Sequence, residues 1–430
     1  MSTLAWLSVA VFLIAYVFIA TERIHRVAAA LGGAGIMLLI HASDAKAAFF
    51  SPHAGIDWNV IFLLLGMMVI VGVLKETGVF EYLAIWAAKR ARGRPFRLMA
   101  LLVVITAIAS ALLDNVTTVL LIAPVTILVC ERLALAPAPF LIAEAMASNI
   151  GGAATLVGDP PNIIIASRGG LTFNDFLVHM APMIVILMVV FLALCRLIFA
   201  RYLKYDAELA SAVMSLDERE ALADRRLLVQ SLAVLALVMA AFVLHPVLHY
   251  EPSVVALLGA GALVAVTKIT TTRALSEVEW PTLVFFAGLF VMVGGLVETG
   301  VIDRLSHVAG DATAGRPEAA MFGLLGVSAV LSAIVDNIPY VATMSPVVEE
   351  VIQVEGARGP ARALWWALAF GADLGGNATA VGAAANVVVL GVAARNRTPI
   401  SFWQFTRYGL VVTVVTVALV VPYLWLRYLA

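Results

Sequence analysis

The sequence predicts an all-α membrane protein with about ten transmembrane helices plus two re-entrant helical hairpins, arranged as two inverted-topology repeats. Three observations predict this fold class: an apolar composition, a series of runs long enough to cross a bilayer, and an internal duplication. Of the 430 residues, 63% are hydrophobic and 13% are charged, whereas soluble globular proteins have roughly 45–50% and roughly 25%. This composition, with a net charge of −1, excludes a soluble enzyme, a disordered chain and a nucleic-acid binder.

The apolar runs define the crossings, because a helix needs about 20 mostly apolar residues to span the hydrocarbon core. Eight runs are uninterrupted: 3–20, 27–41, 58–75, 176–200, 227–246, 252–268, 280–297 and 405–428. Two further crossings, 140–167 and 364–392, are broken near their middle by glycine and polar residues. The stretches 97–131 and 319–352 carry a polar pair at their centre, so we expect them to be re-entrant hairpins.

The basic residues orient this arrangement, because cytoplasmic loops of membrane proteins are enriched in Lys and Arg. With the basic run at 89–97 in the cytoplasm, 20 of the 27 Lys and Arg residues are cytoplasmic and both termini face outward. Residues 201–226 then form a cytoplasmic linker between a first repeat, 1–200, and a second repeat, 227–430. The sequence leaves open whether a soluble ATPase partner docks on this linker.

An internal duplication is the strongest indication that the chain is built from two repeats. At an offset of 222 residues, Ser110, Asp114, Asn115 and Pro124 match Ser332, Asp336, Asn337 and Pro346. At an offset of 224 residues, Gly151, Gly152, Thr155, Gly158 and Asn162 match Gly375, Gly376, Thr379, Gly382 and Asn386. Each repeat contains five crossings and one hairpin, so the second repeat enters the membrane from the opposite face.

Inverted repeats with broken helices near the midplane are typical of secondary transporters that work by alternating access. A channel, which belongs to a different functional class, is the alternative to a secondary transporter. The chain has no G-x-x-x-x-G-K-[ST] motif, so ATP does not drive it directly. No enzymatic activity, cofactor or metal site is expected, and Cys130 and Cys195 do not match a disulfide framework or a zinc-ligand spacing.

The hairpin tips supply two candidate proton-binding groups, Asp114 and Asp336. A charged side chain inside the membrane costs about 2.5–3.5 kcal/mol on insertion scales, so an intramembrane Asp is a functional candidate. Burial favours the neutral form of a carboxyl group, which is the behaviour that a proton-coupled carrier needs. The alternative is that each Asp only caps its own hairpin helix by accepting backbone hydrogen bonds.

The broken helices supply the candidate substrate ligands. The first reads from Asn149 through Gly-Gly and Pro-Pro to Asn162, and the second reads from Asp373 through Gly-Gly to Asn386. Glycine lets a helix unwind and proline cannot donate to its hydrogen-bond ladder, so neutral polar groups become available at the break. The candidates are Asn149, Thr155, Asn162, Asn377, Thr379 and Asn386. A kinked packing helix is the alternative, and Glu144 is an additional candidate for a proton relay.

The chain resembles the ion transporter superfamily, which includes ArsB arsenite permeases, the pigmentation P protein, NhaD-type sodium/proton antiporters and dicarboxylate/sodium symporters. The motifs Asp114-Asn-Val-Thr-Thr, Ser148-Asn-Ile-Gly-Gly and Gly158-Asp-Pro-Pro-Asn-Ile are most similar to the arsenite-permease and P-protein branch. The resemblance implies one central site between a scaffold and a transport domain, and it suggests a homodimer. Residues implied to line that site are Asn115, Thr117, Thr155, Asn162, Asn337, Thr379 and Asn386.

The tips differ from the dicarboxylate branch, whose tips resemble Ser-Asn-Thr. Here Asp replaces the Ser at both tips, and a fixed negative charge favours proton coupling with a neutral or cationic solute. The sequence and the resemblance together predict a proton-coupled arsenite/antimonite efflux transporter in a bacterial inner membrane, with the lipid bilayer, protons and a small inorganic solute as its partners. A sodium/proton antiporter is the nearest alternative, and an anion or dicarboxylate carrier is a third.

Overall fold

The chain is described here by a computed structural model that covers residues 1–21, 23–203, 218–267, 269–313, 316–355 and 362–430. Every regular element in these ranges is helical, as the sequence predicts. Most of the predicted linker, residues 204–217, lies outside the described residues.

The first half of the chain forms eleven α-helices, and a short 3₁₀ turn follows at Ala200–Tyr202. They are α1 (Thr3–Thr21), α2 (Arg26–Leu39), α3 (Ala45–Phe50), α4 (Trp58–Lys75), α5 (Val79–Ala91), α6 (Pro95–Leu112), α7 (Asn115–Arg132), α8 (Pro137–Gly152), α9 (Pro160–Gly169), α10 (Phe173–His179) and α11 (Ala181–Ile198).

The second half begins with a 3₁₀ turn at Glu218–Ala221 and follows the same order of elements, with an added short helix at His245–Leu248 and one long helix, Phe402–Tyr428, in place of α10 and α11. Its helices are α12 (Arg225–Val243), α13 (His245–Leu248), α14 (Pro252–Thr267), α15 (Thr271–Ser276), α16 (Trp280–Glu298), α17 (Val301–Thr313), α18 (Pro317–Ile334), α19 (Asn337–Glu355), α20 (Ala363–Gly375), α21 (Ala384–Arg395) and α22 (Phe402–Tyr428).

Eight of the described helices are long and apolar enough to cross a membrane: α1, α4, α6, α7, α11, α12, α16 and α22. Large apolar side chains remain exposed on several of them, including Trp6, Val189, Leu237 and Leu426, as expected for helices in contact with lipid. Shorter apolar helices, among them α2, α14 and α21, complete the set. The composition and the helices together describe a multi-pass membrane protein.

The two predicted hairpins appear as helix pairs separated by only two residues. Residues 113–114 separate α6 from α7, and residues 335–336 separate α18 from α19. By length α6 and α7 could each cross the membrane, so re-entry itself stays a prediction. Either arrangement returns the chain to the side from which it came, so the inversion of the second repeat does not depend on it.

The two predicted broken helices are interrupted at their glycines. Helix α8 ends at Gly152 and α9 begins at Pro160, whereas α20 ends at Gly375 and α21 begins at Ala384. Pro160 and Pro161 occupy the first turn of α9, where a backbone N–H has no partner within the helix. Irregular backbone therefore reaches the interior of the helix bundle from both halves.

The duplication is visible in the hydrogen bonds, which recur at the same offsets as the sequence matches. Ser110 Oγ donates to the Ser148 carbonyl oxygen at 2.7 Å, and Ser332 Oγ donates to that of Ala372 at 2.6 Å. Thr155 Oγ1 donates to the Ala111 carbonyl oxygen at 2.6 Å, and Thr379 Oγ1 donates to that of Ala333 at 2.6 Å. Each hairpin is thus fastened in the same way to the broken helix of its own half.

Glycine permits the close approach that these hydrogen bonds require. A Cβ atom at Gly151 would lie 2.4 Å from the Ala107 carbonyl oxygen, and a Cβ atom at Gly375 would lie 2.5 Å from that of Ala329. Both distances are far below van der Waals contact, so a side chain at either position would push the broken helix away from its hairpin. The same requirement at both sites explains why both repeats contain glycine there.

Candidate functional site

Four asparagine side chains, contributed by both halves, form a cluster where the broken helices meet. Asn115 Nδ2 donates to Asn149 Oδ1 at 3.2 Å, and Asn149 Nδ2 lies 3.0 Å from both Asn377 Oδ1 and Asn386 Oδ1. Asn115 is 2% exposed and the other three are completely buried. The structure therefore brings four of the predicted site residues into one contact network, with Asn149 at its centre.

Two asparagines also hold the breaks themselves in shape. Asn162 Nδ2 donates to the Thr155 carbonyl oxygen at 3.2 Å, and Asn386 Nδ2 donates to the Thr379 carbonyl oxygen at 2.9 Å. Asn386 Nδ2 also lies 2.8 Å from the Gly376 carbonyl oxygen. The Thr155 and Thr379 hydroxyls donate to the hairpin backbone, so these two predicted ligands brace the site instead of joining the asparagine cluster.

Two buried carboxyl groups lie beside this cluster, on Asp159 and Asp373. Both residues are 0% exposed. Asn337 Nδ2 donates toward Asp159, at 3.3 and 3.4 Å from its two carboxyl oxygens. The two Asp373 oxygens have no hydrogen-bond partner of acceptable geometry, and the polar side chain that faces this carboxyl group is that of Asn162. Asn337 therefore lies outside the asparagine cluster and forms its hydrogen bond with an acidic residue.

Asp159 and Asp373 are not among the site residues predicted from the sequence, because those residues are chosen mainly by identity between the two repeats. Asp159 corresponds to Ala383, and Asp373 corresponds to Asn149, so neither carboxyl group has a matching partner. The signal that could have found them is the cost of an intramembrane carboxylate, which applies to unmatched acids as well.

Asp114 and Asp336 lie at the tips between the paired helices and are partly exposed. Asp114 Oδ1 accepts a hydrogen bond of 2.7 Å from the Thr117 backbone N–H, and Asp336 Oδ1 accepts one of 3.0 Å from that of Ile338. Both carboxyl groups thus cap a helix N-terminus, which was the alternative to a proton-binding role. Thr117 remains at the tip, apart from the asparagine cluster.

A cavity of about 390 Å³ reaches the tips from the end of the molecule at which α2 and α16 begin. Arg26 and Glu279 lie at its mouth, and Val116, Asp336 and Val387 also line it. A smaller cavity of about 20 Å³ shares Arg26, Glu279 and Val116 and extends to Asp114. Both tip aspartates are therefore reached from one end of the molecule, which the basic residues predict to be cytoplasmic.

A second cavity of about 280 Å³ opens at the opposite end, where α4 and α14 begin. Asn59, Ile163, Ser167 and Glu251 line it, and no residue of either tip does. Ile163 is the repeat counterpart of Val387 in the first cavity. The two cavities are thus approached through equivalent positions of the two broken helices, from opposite ends of the molecule.

The chemical character of the interior is amide, hydroxyl and carboxyl. Of the residues that the structure describes, no Lys, Arg or His side chain is buried. Arg26, at the mouth of the first cavity, lies over the Phe285 ring at 5.5 Å from its centroid. The described residues also contain no group of three or more His, Cys, Asp or Glu side chains suited to a metal ion.

The additional candidate, Glu144, lies within α8 and is 1% exposed. Thr126 Oγ1 donates to Glu144 Oε1 at 2.5 Å, and Glu144 Oε2 has no hydrogen-bond partner. Cys130 and Cys195 are free thiols, 0% and 1% exposed. None of these three side chains contacts the asparagine cluster through a hydrogen bond given by the structure.

The fold and the site define a multi-pass membrane transporter, and a location in the plasma membrane is consistent with this class. Comparison with known proteins identifies its family. The profile of the citrate transporter family, CitMHS, matches residues 16–371. An uncharacterized transporter of Mycobacterium tuberculosis is 58% identical over 421 residues, which are 98% of each chain. The P protein of Homo sapiens is 33% identical over 95% of this chain and 58% of its own length. The chain belongs to the citrate transporter family of the ion transporter superfamily.

Two solved transporters share the fold. The YdaH transporter of Alcanivorax borkumensis superposes with a TM-score of 0.64 over 99% of this chain and 98% of its own, at 14% identity. MtrF of Neisseria gonorrhoeae, from a class described as antimetabolite efflux pumps, gives a TM-score of 0.64 over 100% and 95%, at 11% identity. At these identities the similarity concerns the fold alone.

Proposed function

We propose that this transporter exports arsenite or antimonite in exchange for protons, by alternating access. Protons enter and bind Asp114 and Asp336 at the tips, the solute leaves, and movement of the broken helices with their hairpins carries the site across the bilayer. The two cavities, which approach the site from opposite ends, support this cycle because each broken helix can be reached from its own side.

One observation carries the proposal: the described interior combines carboxyl and amide groups with no buried basic side chain. Recognition of a carboxylate or phosphate in proteins generally uses Arg or Lys, because charge-assisted hydrogen bonds offset the desolvation of the anion. An uncharged, oxygen-rich solute such as arsenous acid needs only donors and acceptors, which asparagine amides provide. The site therefore suits a neutral solute whose transport is coupled to protonation of the acids.

Citrate, the solute in the name of the family, is the substrate against which arsenite has to be compared. Free citrate is an anion at neutral pH, and it would meet Asp159 and Asp373 with no buried basic group among the described residues. Like charges in an apolar site repel strongly because water does not screen them. This repulsion favours the neutral solute over free citrate.

Arsenite accumulation in everted membrane vesicles tests the proposal. We expect accumulation under an imposed proton gradient, collapse of that accumulation with an uncoupler, and no response to a sodium gradient. Citrate is measured in the same vesicles under the same gradients, and vesicles without the protein give the background. Citrate accumulation without arsenite accumulation would overturn the substrate assignment and keep the transporter class.

Exchange of sodium for protons is the second candidate, favoured by the two buried carboxyl groups, which could bind either cation. It predicts that addition of sodium to acidified everted vesicles raises their internal pH, measured with a pH-sensitive dye, in the absence of any arsenite. No sodium-dependent signal above that of empty vesicles would exclude this candidate.

A further inference from the structure

Several buried oxygen atoms around the site have no hydrogen-bond donor. Both Asp373 oxygens, Asn162 Oδ1 and Asn115 Oδ1 are buried and accept no hydrogen bond in the structure. Asn377 Nδ2 is the one unpartnered donor among the described asparagines of the site. Buried polar atoms normally have a hydrogen-bond partner, because an unpaired one destabilises the fold. The excess of acceptors over donors is the pattern expected where a proton or another cation binds.

Three of these four oxygens, the two of Asp373 and that of Asn162, lie on one side of the pseudo-symmetric core. Under the repeat offsets, Asn115, Asn149 and Asn386 on the asparagine side correspond to Asn337, Asp373 and Asn162. The contact between Asn149 and Asn386 is accordingly repeated by the facing pair of Asp373 and Asn162. The two sides thus share this one contact and differ in charge, since only one of them carries carboxyl groups.

The electrostatic surroundings of these carboxyl groups are acidic. The charged groups that interact with Asp159 are Asp373, Asp336 and Asp114, and its hydrogen-bond donor is the neutral amide of Asn337. The polar side chain that faces Asp373 is the neutral amide of Asn162. Two neighbouring carboxyl groups in a buried site cannot both remain charged without a compensating cation.

We propose that Asp159 and Asp373 form the coupling-cation site of the transporter, and that they bind one proton between them in the proposed antiport. The inference rests on the proposed function and adds an interior proton-binding step to the one at Asp114 and Asp336. Asp336, which lines the cavity of about 390 Å³ and interacts with Asp159, passes the proton inward. When the proton is bound, the pair carries one charge fewer, which lowers the cost of moving the site through the bilayer.

Transport by purified protein in proteoliposomes tests this site with two assays. The first measures arsenite accumulation under a proton gradient, and the second measures exchange of labelled for unlabelled arsenite without any gradient. We expect Asp159→Asn and Asp373→Asn to lower gradient-driven accumulation at least about tenfold and to keep exchange within about twofold, because exchange needs the solute site and not the proton. Asp303→Asn, on a side chain that is 61% exposed, is the matched control and should leave both assays unchanged.

The outcomes separate this inference from the proposed function. Wild-type protein that ignores the proton gradient would defeat the proposed arsenite/proton exchange. Wild-type protein that responds, together with both Asn variants that respond equally, would overturn the coupling site alone. If sodium drives the wild-type protein instead, the same variants decide whether the pair binds sodium, with lost sodium dependence supporting the site and retained dependence overturning it.

A third variant guards against loss of folding. Asp373→Glu retains the carboxyl group, so we expect it to keep gradient-driven accumulation, with its pH dependence displaced from that of wild type. Inactivity of this variant and of both Asn variants in the exchange assay, together with early thermal unfolding, would show that the carboxyl groups serve the fold. That result would overturn the proposal.

Discussion

Asp114 caps a helix and, in the proposed cycle, also binds a proton, and different substitutions can separate these two roles. Its carboxyl group lies at the edge of the small cavity, and the same group accepts the backbone hydrogen bond that begins α7. Asparagine caps helix N-termini about as well as aspartate, but it cannot release a proton at physiological pH. The cap therefore requires only an acceptor oxygen, whereas the proposed proton coupling requires the acid.

We expect Asp114→Asn to keep the stability of the wild-type protein and to lose proton-driven efflux. Asp114→Ala removes the cap as well and should lower the free energy of unfolding by about 1 kcal/mol. Thermal unfolding in detergent measures the first effect, and arsenite uptake under a proton gradient measures the second. Normal gradient dependence of Asp114→Asn would leave Asp114 with the cap function alone.

At the scale of elements, the unit of the fold is a helix pair fastened to a broken helix. The hydroxyl groups of serine and threonine reach backbone oxygens across the interface, and glycine removes the side chains that would hold the backbones apart. Small residues at helix crossings and hydroxyl hydrogen bonds are the usual means of helix association in membranes. Each unit should therefore tolerate little enlargement at its contact.

Gly151→Ala and Gly375→Ala place a Cβ atom 2.4 and 2.5 Å from a carbonyl oxygen of the facing helix. We expect each substitution to lower the free energy of unfolding by roughly 1–3 kcal/mol and to reduce transport. Gly391→Ala, in α21, is the control because a Cβ atom there meets nothing within 4 Å. It should stabilise its helix by up to about 1 kcal/mol. Equal melting temperatures for all three would contradict the close packing.

At the scale of the whole molecule, the two cavities make the inverted arrangement accessible to chemical labelling. Cys130 and Cys195 are 0% and 1% exposed, so the native chain provides an unreactive background. Val387→Cys lines the cavity at the predicted cytoplasmic end, and Ser167→Cys, at an exposed position of α9, lines the cavity at the other end. Cysteines on the two broken helices should therefore react from opposite sides of the membrane.

We expect a membrane-impermeant maleimide to modify Val387→Cys in everted vesicles and Ser167→Cys in intact cells. The cysteine-containing wild type, treated in the same way, controls for native thiols, and mass spectrometry of the adducts measures the reaction. Modification of both positions from the same side would contradict the inverted repeats, and a complete exchange of sides would reverse the predicted orientation.

The sequence predicts the fold class, because apolar runs and matched polar residues are determined by local composition and by the duplication. It also predicts the asparagines, because Asn115 with Asn337 and Asn162 with Asn386 are identical in the two repeats. It does not predict that Asn337 donates to Asp159 while Asn115 donates to Asn149. That difference follows from packing between the halves. The spacing of residues within one repeat does not predict such packing.

The network centred on Asn149 joins residues from both halves: Asn149 belongs to α8, Asn377 follows α20, and Asn386 lies in α21. A second contact between the halves is the hydrogen bond that Asn337 of the second half donates to Asp159 of the first half. Neither half alone contains all the side chains of the site. Two fragments of the chain should therefore complement each other genetically. A chain divided between its repeats should regain its activity only when both fragments are made in the same cell.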